Sequence, residues 1–505
     1  ELPWLTGGRV RFDFSPTFWA WDSRYGLGTG PGGVETEEVE DLSIDLAASP
    51  FGSAALPHLR TLESNLREAL QDNSYQVRLG STQAFVEQSR LVFPFRLDVG
   101  VTDWLTVGAM VPLVRPRTEM VFTLDADSLS ADVGLTPGAD GFLSSFGAFL
   151  DNAESQSPGD PALQEARTYL DALSGAYGHG SFFPVTGSLA GSRLQERLDD
   201  LRASLTAAGF TGLPETVPLA EAYLTEEDFS SYLTSAAMQG APLGNWTTPL
   251  ALGDVEITAA VRLIRVGFQP DSLGALPFFR AQLGVGGLVR LATGTQEDPY
   301  RFLDLDPSDD QMDFEGSIFG MVDLGSRFGA WANARFGLQQ EGTAIRRIAS
   351  PSEVLPDRGR MALLNWTPGN YFDFQVNPRY YFTPDISFGM RYRFWFKGSD
   401  RYTLPPVDPE TAALLNYPAP EYLNYETRQV LHEVGLSATY STLAPHARGE
   451  TPIPLQARFT YYHPVAGAGG QTPKGPRLEA GLSVFRFLWG REETTEGPVA
   501  DPTNR

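Results

Sequence analysis

The stretch F-P-F-R-L-D-V-G-V-T-D-W-L-T-V-G-A-M-V-P-L-V, at residues 93–114, shows the clearest pattern in the chain. On each side of the segment V-T-D-W every second residue is apolar, and the residues between are mostly small, polar or charged. A period of two is what a β-strand produces when only one of its faces is apolar. The stretch therefore predicts a hairpin of two strands, each with one apolar face.

The same period of two recurs along most of the chain. Copies lie near 9–20, 254–263, 279–290, 313–325, 330–340, 371–383, 386–397, 428–440, 454–463 and 477–489. Two weaker segments, at 39–46 and 75–88, are also predicted as strands. The count is then about 14 strands, with 12 or 16 as alternatives, because strand boundaries read from sequence err by ~2–4 residues.

Strands of this kind predict either a membrane barrel or a soluble sandwich. In a sandwich the apolar faces of two sheets meet and the polar faces contact water. The predicted strands run roughly 10–14 residues, beyond the ~5–6 usual in soluble sheets and near the ~9–11 that cross a membrane. The opposite face is rich in charged residues and glycine, which suits a wet, crowded interior. We therefore expect an all-β membrane barrel of antiparallel up-and-down strands.

Composition excludes several other classes. The chain has 505 residues, 38 Lys+Arg against 62 Asp+Glu, a net charge of -24 and no cysteine. Without cysteine there is no disulfide framework, thiolate metal site or cysteine nucleophile. The acidic balance argues against a nucleic-acid partner, and no apolar run is long enough to predict a transmembrane helix. The chain begins at Glu1, and we interpret it as a mature form from which an export signal was removed.

The predicted connections between strands alternate in length. Short turns lie at 102–104, 325–329 and 383–385, and long connections at 22–35, 115–250, 294–311, 341–369 and 398–424. Bacterial barrels have short periplasmic turns and long extracellular loops, so we expect the long segments outside and both termini inside. The predicted parts are first strands with a short helix (1–125), a helical insertion in an extracellular loop (126–248), the remaining strands (249–490) and a polar tail (491–505).

Within the insertion the spacing changes from two residues to that of helices. Apolar stripes predict helices at 161–175 and 192–209, and a capping pattern opens another at 225–233. Two roles remain open for the insertion, namely a lid that gates or selects ligand, and a packing domain or adhesion surface. Strand parity places a further helix, at 57–71, on the periplasmic side or inside the lumen as a plug.

The hairpin at 93–114 and the strand opening L-G-D-V-E-I-T-A-A-V-R-L, at 252–263, resemble a family of outer-membrane barrels. This transporter-like group includes phenol-degradation-pathway porins and is distantly similar in form to fatty-acid and toluene channels. The resemblance covers roughly 90–125 and 250–490, and it implies a barrel in the outer membrane of a Gram-negative bacterium. The helical insertion, and the eight or so residues before the first strand in place of an N-terminal hatch, depart from the fatty-acid channels.

The charged residues share the face opposite the apolar one, which in a barrel is the lumen. Arginine stays charged and binds carboxylates through two N–H groups. Two roles are open, a lattice of ion pairs that braces the strands, or a constriction or ligand site whose field favours zwitterions or oriented polar solutes. The candidates are Arg9, Arg11, Asp13, Arg96, Asp98, Asp254, Glu256, Arg262, Arg280, Arg290, Asp313, Glu315, Arg335, Asp373, Arg379, Arg391, Arg393, Glu433, Arg458 and Glu479, with Arg477 on the same face.

Two further groups of residues have side chains suited to metal binding or catalysis. The acidic segment that contains Asp304, Asp306, Asp309 and Asp310 is either a weak Ca²⁺ site or a solvated loop, since its spacing matches no EF-hand. His432 and His463 fall in the lipid-facing register, as an outer-membrane phospholipase would require, but no serine lies beside them. No phosphate loop, zinc-protease motif or nucleophile elbow is present in the sequence.

These observations together predict a passive diffusion channel for small solutes, including hydrophobic or aromatic ones, with no enzymatic activity and no cofactor. The alternative is a closed structural barrel whose helical insertion docks an extracellular protein partner or surface assembly. Either protein would contact outer-membrane lipid and lipopolysaccharide. The acidic loops would then bind divalent cations that bridge to anionic headgroups.

Overall fold

A computed structural model of the chain describes residues 4–29, 35–268, 278–295, 298–303, 305, 308, 311–350, 353–406 and 417–489. The helices are α1 (Arg60–Leu70), α2 (Asp140–Gln156), α3 (Pro161–Gly178), α4 (Leu189–Ala207), α5 (Glu226–Leu233) and α6 (Leu443–Ala447). The strands are β1 (Arg9–Phe14), β2 (Thr17–Trp21), β3 (Ser23–Thr29), β4 (Glu35–Asp41), β5 (Phe51–Gly52), β6 (Arg78–Gly100), β7 (Leu105–Asp125), β8 (Val133–Leu135), β9 (Phe182–Pro184), β10 (Trp246–Thr247), β11 (Ala251–Leu252), β12 (Glu256–Val266), β13 (Phe279–Arg290), β14 (Asp313–Leu324), β15 (Phe328–Gln339), β16 (Gly342–Arg347), β17 (Met361–Thr367), β18 (Tyr371–Tyr381), β19 (Ile386–Lys397), β20 (Arg401–Thr403), β21 (Gln429–Ser441), β22 (Leu455–Ala468), β23 (Thr472–Lys474) and β24 (Arg477–Phe487).

Twelve strands close into one antiparallel ring. The first is made of β1 and β2, which both pair with β6 on one side and β24 on the other. It is interrupted at Pro16, which has no N–H to give to a neighbouring strand. The ring continues through β6, β7, β12, β13, β14, β15, β18, β19, β21, β22 and β24. Twelve is the lower of the two alternatives, 12 and 16, to the 14 strands that the sequence predicts.

The two faces of this ring bury the opposite of what a soluble sheet buries. Phe388 and Leu436, on the outer face, are 53% and 64% exposed. Asp98 and Asp373, on the inner face, are 1% and 0% exposed. Apolar side chains therefore form the outer surface and charged ones the interior, which confirms the predicted membrane barrel and excludes the soluble sandwich.

Connections at the two ends of the ring differ in length as predicted. The turns at 101–104, 325–327 and 382–385 lie at one end, here called the short-turn end. The long connections at 22–77 and 126–255 lie at the opposite, long-loop end. No helix in the described part of the chain is long and apolar enough to cross a membrane.

Two strand predictions near the start of the chain were wrong. Residues 44–46 form a 3-10 helix, and 35–41 is a strand that pairs with β3 away from the ring. The segment 75–88 is no separate strand, because its larger part is the first half of β6, which runs unbroken to Gly100. This half packs on one side against helices, where Leu79 and Val86 are buried, while Phe85 on its other side is 49% exposed. Its apolar residues therefore do not follow the alternation of a strand with one face to lipid.

That miscount also misplaced the helix predicted at 57–71. The connection 22–77 follows one ring strand, not the two that the sequence predicts before the helix, so it lies at the long-loop end instead of the periplasmic side or the lumen. There α1 packs against α3 and α4. The helix belongs to the cap, defined here as α1 to α5 with the outer parts of β6 and β7.

The cap has a conventional apolar core. Leucines of α1, α3 and α4 pack against the inner sides of the extended strands, where Leu79 and Val86 are almost fully buried. The predicted helices at 161–175, 192–209 and 225–233 correspond to α3, α4 and α5, and Asp160, Ser188 and Thr225 cap their first turns. The sequence did not predict α2, which opens without a capping side chain and mixes serine and glycine with its apolar residues.

Candidate functional site

Among the cavities that the described residues form inside the ring, two are chambers large enough for a solute, and no residue lines both. The outer chamber has a volume of about 870 Å³ and is lined by wall residues such as Glu256 and Arg290 and by loop residues such as Arg347 and Trp366. The inner chamber, at the short-turn end, has a volume of about 290 Å³. The chambers are the spaces in which this barrel can hold a solute.

A ladder of ion pairs runs along the inner face of the ring, from β12 to β24. Most of its arginines contact carboxylates from two neighbouring strands, so each ties three strands together. Removing one member of such a pair is destabilising, because the charge that remains inside the barrel has neither water nor a partner to compensate it. The pairs are Arg290–Glu256 (2.9 Å), Arg290–Asp313 (2.5 Å), Arg335–Glu315 (3.6 Å), Arg335–Asp373 (2.5 Å), Arg393–Asp373 (3.1 Å), Arg393–Glu433 (3.0 Å) and Arg477–Glu433 (2.9 Å).

A second network ties the first strands to β12. Arg11 and Arg96 both donate to Asp98, at 2.7 and 2.9 Å. Arg96 also donates to Thr258 Oγ1 at 3.3 Å. Gly108 faces this carboxylate, and a Cβ there would collide with it. The close approach of the strand to Asp98 explains why glycine occupies that position.

The segment Trp4–Thr6 enters the lumen between the two chambers. Trp4 packs on Phe319 with ring centroids 5.0 Å apart and forms a small buried apolar cluster with it and Ala260. The Leu5 N–H donates to Thr106 Oγ1 at 2.7 Å. This cluster is the apolar constriction of an otherwise charged interior.

The roof of the outer chamber is held by Arg347. Its guanidinium donates to the backbone carbonyls of Met238 (2.8 Å), Gln239 (2.7 Å), Pro299 (3.0 Å) and Pro356 (2.8 Å). These carbonyls belong to three different connections, so one side chain joins the loops above the lumen. Burial lowers the pKa of Arg347, an effect that Asp357 opposes.

A pair of histidines lies where three cap segments meet. The rings of His58 and His179 are 4.4 Å apart. His179 Nε2–H donates to the His58 carbonyl at 2.9 Å, and His58 Nδ1 lies 2.9 Å from the Tyr232 hydroxyl. Burial lowers the pKa of both histidines, and the charge of His179 lowers that of His58 further. Burial in the cap therefore disfavours the charged form of both imidazoles.

The structure places the predicted lumen residues on the inner face of the ring, and their role in permeation stays a prediction. The ladder and the Asp98 network bring many of them together, and the others lie in smaller groups. Asp13 accepts from Ser483 (2.6 Å), Arg280 pairs with Asp323 (3.2 Å), Arg458 pairs with Glu479 (2.5 Å), Arg391 donates to the Tyr462 hydroxyl (2.5 Å), Asp254 accepts from the Thr293 and Gly294 N–H groups (3.1 and 3.0 Å), and Arg9, Arg262 and Arg379 line the inner chamber.

Several residues that shape the lumen were not predicted. Phe319 and Trp331 occupy inward positions of the alternation in β14 and β15, so the pattern could have identified them. Arg265 could not be identified in this way, because a bulge between Arg262 and Ile264 shifts the register of β12. Trp4 precedes the first strand and has no periodic neighbours.

The remaining candidates gain no site from the structure. The calcium candidates Asp304, Asp306, Asp309 and Asp310 lie outside the described residues. His432 faces outward and lies 2.8 Å from the Tyr392 hydroxyl, and no hydrogen bond to a serine is found for it among the described residues. Among the residues that the structure describes, no group of three or more His, Asp or Glu could hold a metal ion.

No family model matches the chain, and no curated protein matches its sequence. Among solved structures the chain is similar to an outer membrane channel from Pseudomonas putida F1, with a TM-score of 0.41 and 10% identity over 95% of this chain and 97% of that chain. It is also similar to the translocator domain of the autotransporter NalP from Neisseria meningitidis (0.29, 7%, 96% and 90%) and to the toluene transporter TbuX of Ralstonia pickettii (0.27, 8%, 96% and 90%).

The chain's own geometry defines its class. A closed antiparallel ring with an apolar outer band, a charged interior and long loops at one end is an outer-membrane β-barrel. Its place is therefore the bacterial outer membrane.

Proposed function

We propose that the protein is a passive diffusion channel of the outer membrane for small solutes, including hydrophobic or aromatic ones, without enzymatic activity. The observation that carries this proposal is the pair of chambers, of about 870 and 290 Å³, in series along the lumen. Small barrels whose side chains fill the interior leave no such space. The cap and the loops joined by Arg347 form the roof through which a solute must enter.

Trp4 is the residue that a passing solute must displace. It lines the inner chamber and contacts Phe319 of the opposite wall. Its segment is anchored by few polar contacts, among them Leu5 N–H to Thr106 and Gly7 N–H to Asp103 at 2.9 Å. A segment held in this way can move without breaking the strand ladder.

Single-channel recording in planar bilayers, with liposome swelling, tests the proposal. We expect the wild-type protein to conduct and Trp4→Ala to conduct more, because the constriction loses its largest ring. Trp104→Ala is the matched control, since Trp104 lies exposed at the 101–104 turn. Absence of conductance from the wild type and from Trp4→Ala would contradict the proposal.

The second candidate is a closed structural barrel whose cap docks an extracellular partner. The Trp4 cluster favours it, because apolar rings lie across the lumen where the two chambers approach each other. In both candidates we propose that the apolar band contacts outer-membrane lipid, that the loops contact lipopolysaccharide, and that the acidic segment at 304–310 binds divalent cations. The recordings separate the two, since a closed barrel gives no current with either variant.

A further inference from the structure

The inner chamber has a charge opposite to that of the chain as a whole. The protein carries a net charge of -24. The chamber, in contrast, is lined by five arginines and one carboxylate, Asp323. A low-dielectric cavity lined by one sign of charge concentrates ions of the other sign. The chamber therefore attracts anions at the periplasmic end of the lumen.

Part of this positive charge is not neutralised by the wall, although Arg11 is paired with Asp98 at 2.7 Å. Asp323 pairs with Arg280, which lies outside the chamber lining, at 3.2 Å. Within the described part of the chain no ion pair engages Arg262 or Arg265. Asp103 acts on Arg262 through its charge, without an ion pair between them in the described part of the chain.

Aromatic rings supply the rest of the lining. Trp4, Trp331, Tyr381 and Phe485 all face the chamber. The guanidinium of Arg9 lies 4.8 Å from the centre of the Phe485 ring. Arginine and aromatic faces together suit a flat solute that stacks on a ring while its acid group meets a guanidinium.

Two buried polar atoms at the chamber add an independent indication of a ligand. Trp331 Nε1 and Gln282 Oε1 have no hydrogen-bond partner among the described residues. An indole N–H can only donate, so an anionic oxygen satisfies it. Buried polar atoms without a partner are uncommon in folded proteins and call for an explanation.

We propose that the inner chamber is a binding site for a small aromatic carboxylate, with one ring. The carboxylate would meet Arg262 and Arg265 and accept from Trp331 Nε1–H, while the ring stacks on Trp4 or Phe485. A volume of about 290 Å³ lies at the lower end for ligand pockets and fits a single ring. This inference names the solute class of the proposed channel. It rests on that proposal only for the passage of the solute through the barrel, and the binding itself does not depend on it.

Calorimetry on the full chain in nanodiscs tests the site, with benzoate, benzyl alcohol, benzylammonium and chloride as probes. We expect saturable binding of benzoate, at least about tenfold weaker binding of benzyl alcohol, which lacks the charge, and none of benzylammonium. Equal binding of benzoate and benzyl alcohol overturns the proposal. Chloride competing as well as benzoate also overturns it, because the chamber would then select charge alone.

Variants locate the site. Arg262→Gln with Arg265→Gln should weaken benzoate binding at least about tenfold. Arg327→Gln, at an exposed arginine of the 325–327 turn outside the chamber, should leave it unchanged. If the double variant does not fold, Trp331→Phe keeps the ring and removes only the donor, and it should weaken binding severalfold. Unchanged affinity in a folded chamber variant overturns the assignment.

Conductance separates this inference from the channel proposal. A protein that conducts without preferring benzoate over benzylammonium in bilayers, and that does not bind benzoate, keeps the channel and loses the site. A protein that binds benzoate through Arg262 and Arg265 but gives no current keeps the site and loses the channel.

Discussion

The barrel ring and the cap bury opposite kinds of side chain within one chain. In the cap, Leu173 and Leu194 are 0% exposed and lie in an apolar core. In the ring, Asp373 and Glu433 are equally buried, while Leu436 lies on the outer surface. The surrounding solvent accounts for the difference, because lipid accepts the apolar face that water rejects.

The two regions are also held together differently. Removing leucines from water stabilises the cap by roughly 25 cal/mol per Å² of buried apolar area. Between ring strands there is no such driving force, so closure depends on the backbone ladder and on inward pairs such as Arg335–Asp373. Substitutions matched for burial should therefore behave differently in each region.

The largest effect is expected for a charge in the cap core. Leu173→Arg places a cation among buried leucines without a partner and should destabilise the cap by more than about 4 kcal/mol. Limited proteolysis of the insertion should show it unfolded, while the barrel keeps its compact electrophoretic migration. Loss of the barrel as well would contradict the independence of the two cores.

Removal of a ring carboxylate should have the next largest effect. Asp373→Leu deprives Arg335 and Arg393 of a shared partner and should lower the free energy of unfolding by about 3–5 kcal/mol. Urea titration in lipid vesicles measures it. Adding Arg335→Met should restore part of the loss, because one orphaned charge is removed with its partner. A double variant less stable than Asp373→Leu would count against the ladder.

An outward leucine tests the lipid face. Leu436 is 64% exposed, so in a water-soluble protein Leu436→Arg would change stability very little. Facing lipid, the arginine should cost about 2–4 kcal/mol. The same vesicle titration gives the value, with Leu436→Ala as a control for lost side-chain volume. An effect no larger than that of the alanine variant would argue against a bilayer at this position.

Acid should weaken the cap through its histidine pair. Both pKa values are lowered from 6.5 by burial, so below that pH the unfolded cap takes up protons that the folded cap does not, and stability falls. Burial raises the pKa of Asp132 to about 6, which acts in the opposite direction between pH 6 and 3.8.

Variants separate the effect of the histidine pair from that of Asp132. Cap stability between pH 7.5 and 5 is monitored by susceptibility to proteolysis. His58→Gln with His179→Gln should make the loss of stability with falling pH smaller, and Asp132→Asn should make it larger. A pH profile unchanged in the histidine variant would show that the pair does not titrate with unfolding.

The smallest effect is expected for a water-exposed ion pair of the cap. Arg202 lies 3.2 Å from Glu215, and both side chains are exposed. Arg202→Gln should change stability by less than about 1 kcal/mol. Thermal unfolding of the cap, monitored by its susceptibility to proteolysis, measures the change in unfolding temperature. A loss of stability as large as that of Asp373→Leu would mean that buried and exposed ion pairs do not differ in their contribution.

The period of two predicted most of the ring, because each ring strand from β12 to β24 has lipid on one face for most of its length. It failed in the outer half of β6, where the cap covers the strand, and at the bulge after Arg262. The inward arginines followed from alternation, but the constriction did not, since Trp4 lies outside any strand. The His58–His179 contact joins residues 121 apart and leaves no local signal.

Cysteine accessibility along β19 and β21 tests the inverted barrel most directly, because the chain has no cysteine of its own. Single cysteines at Phe388, Met390 and Leu436, carrying spin labels in vesicles, should be relaxed by oxygen dissolved in lipid. Cysteines at Ser387 and Ser437 should respond to a water-soluble nickel complex or to neither agent. Outward positions that respond to the nickel complex as strongly as surface loops would contradict a lipid-facing wall.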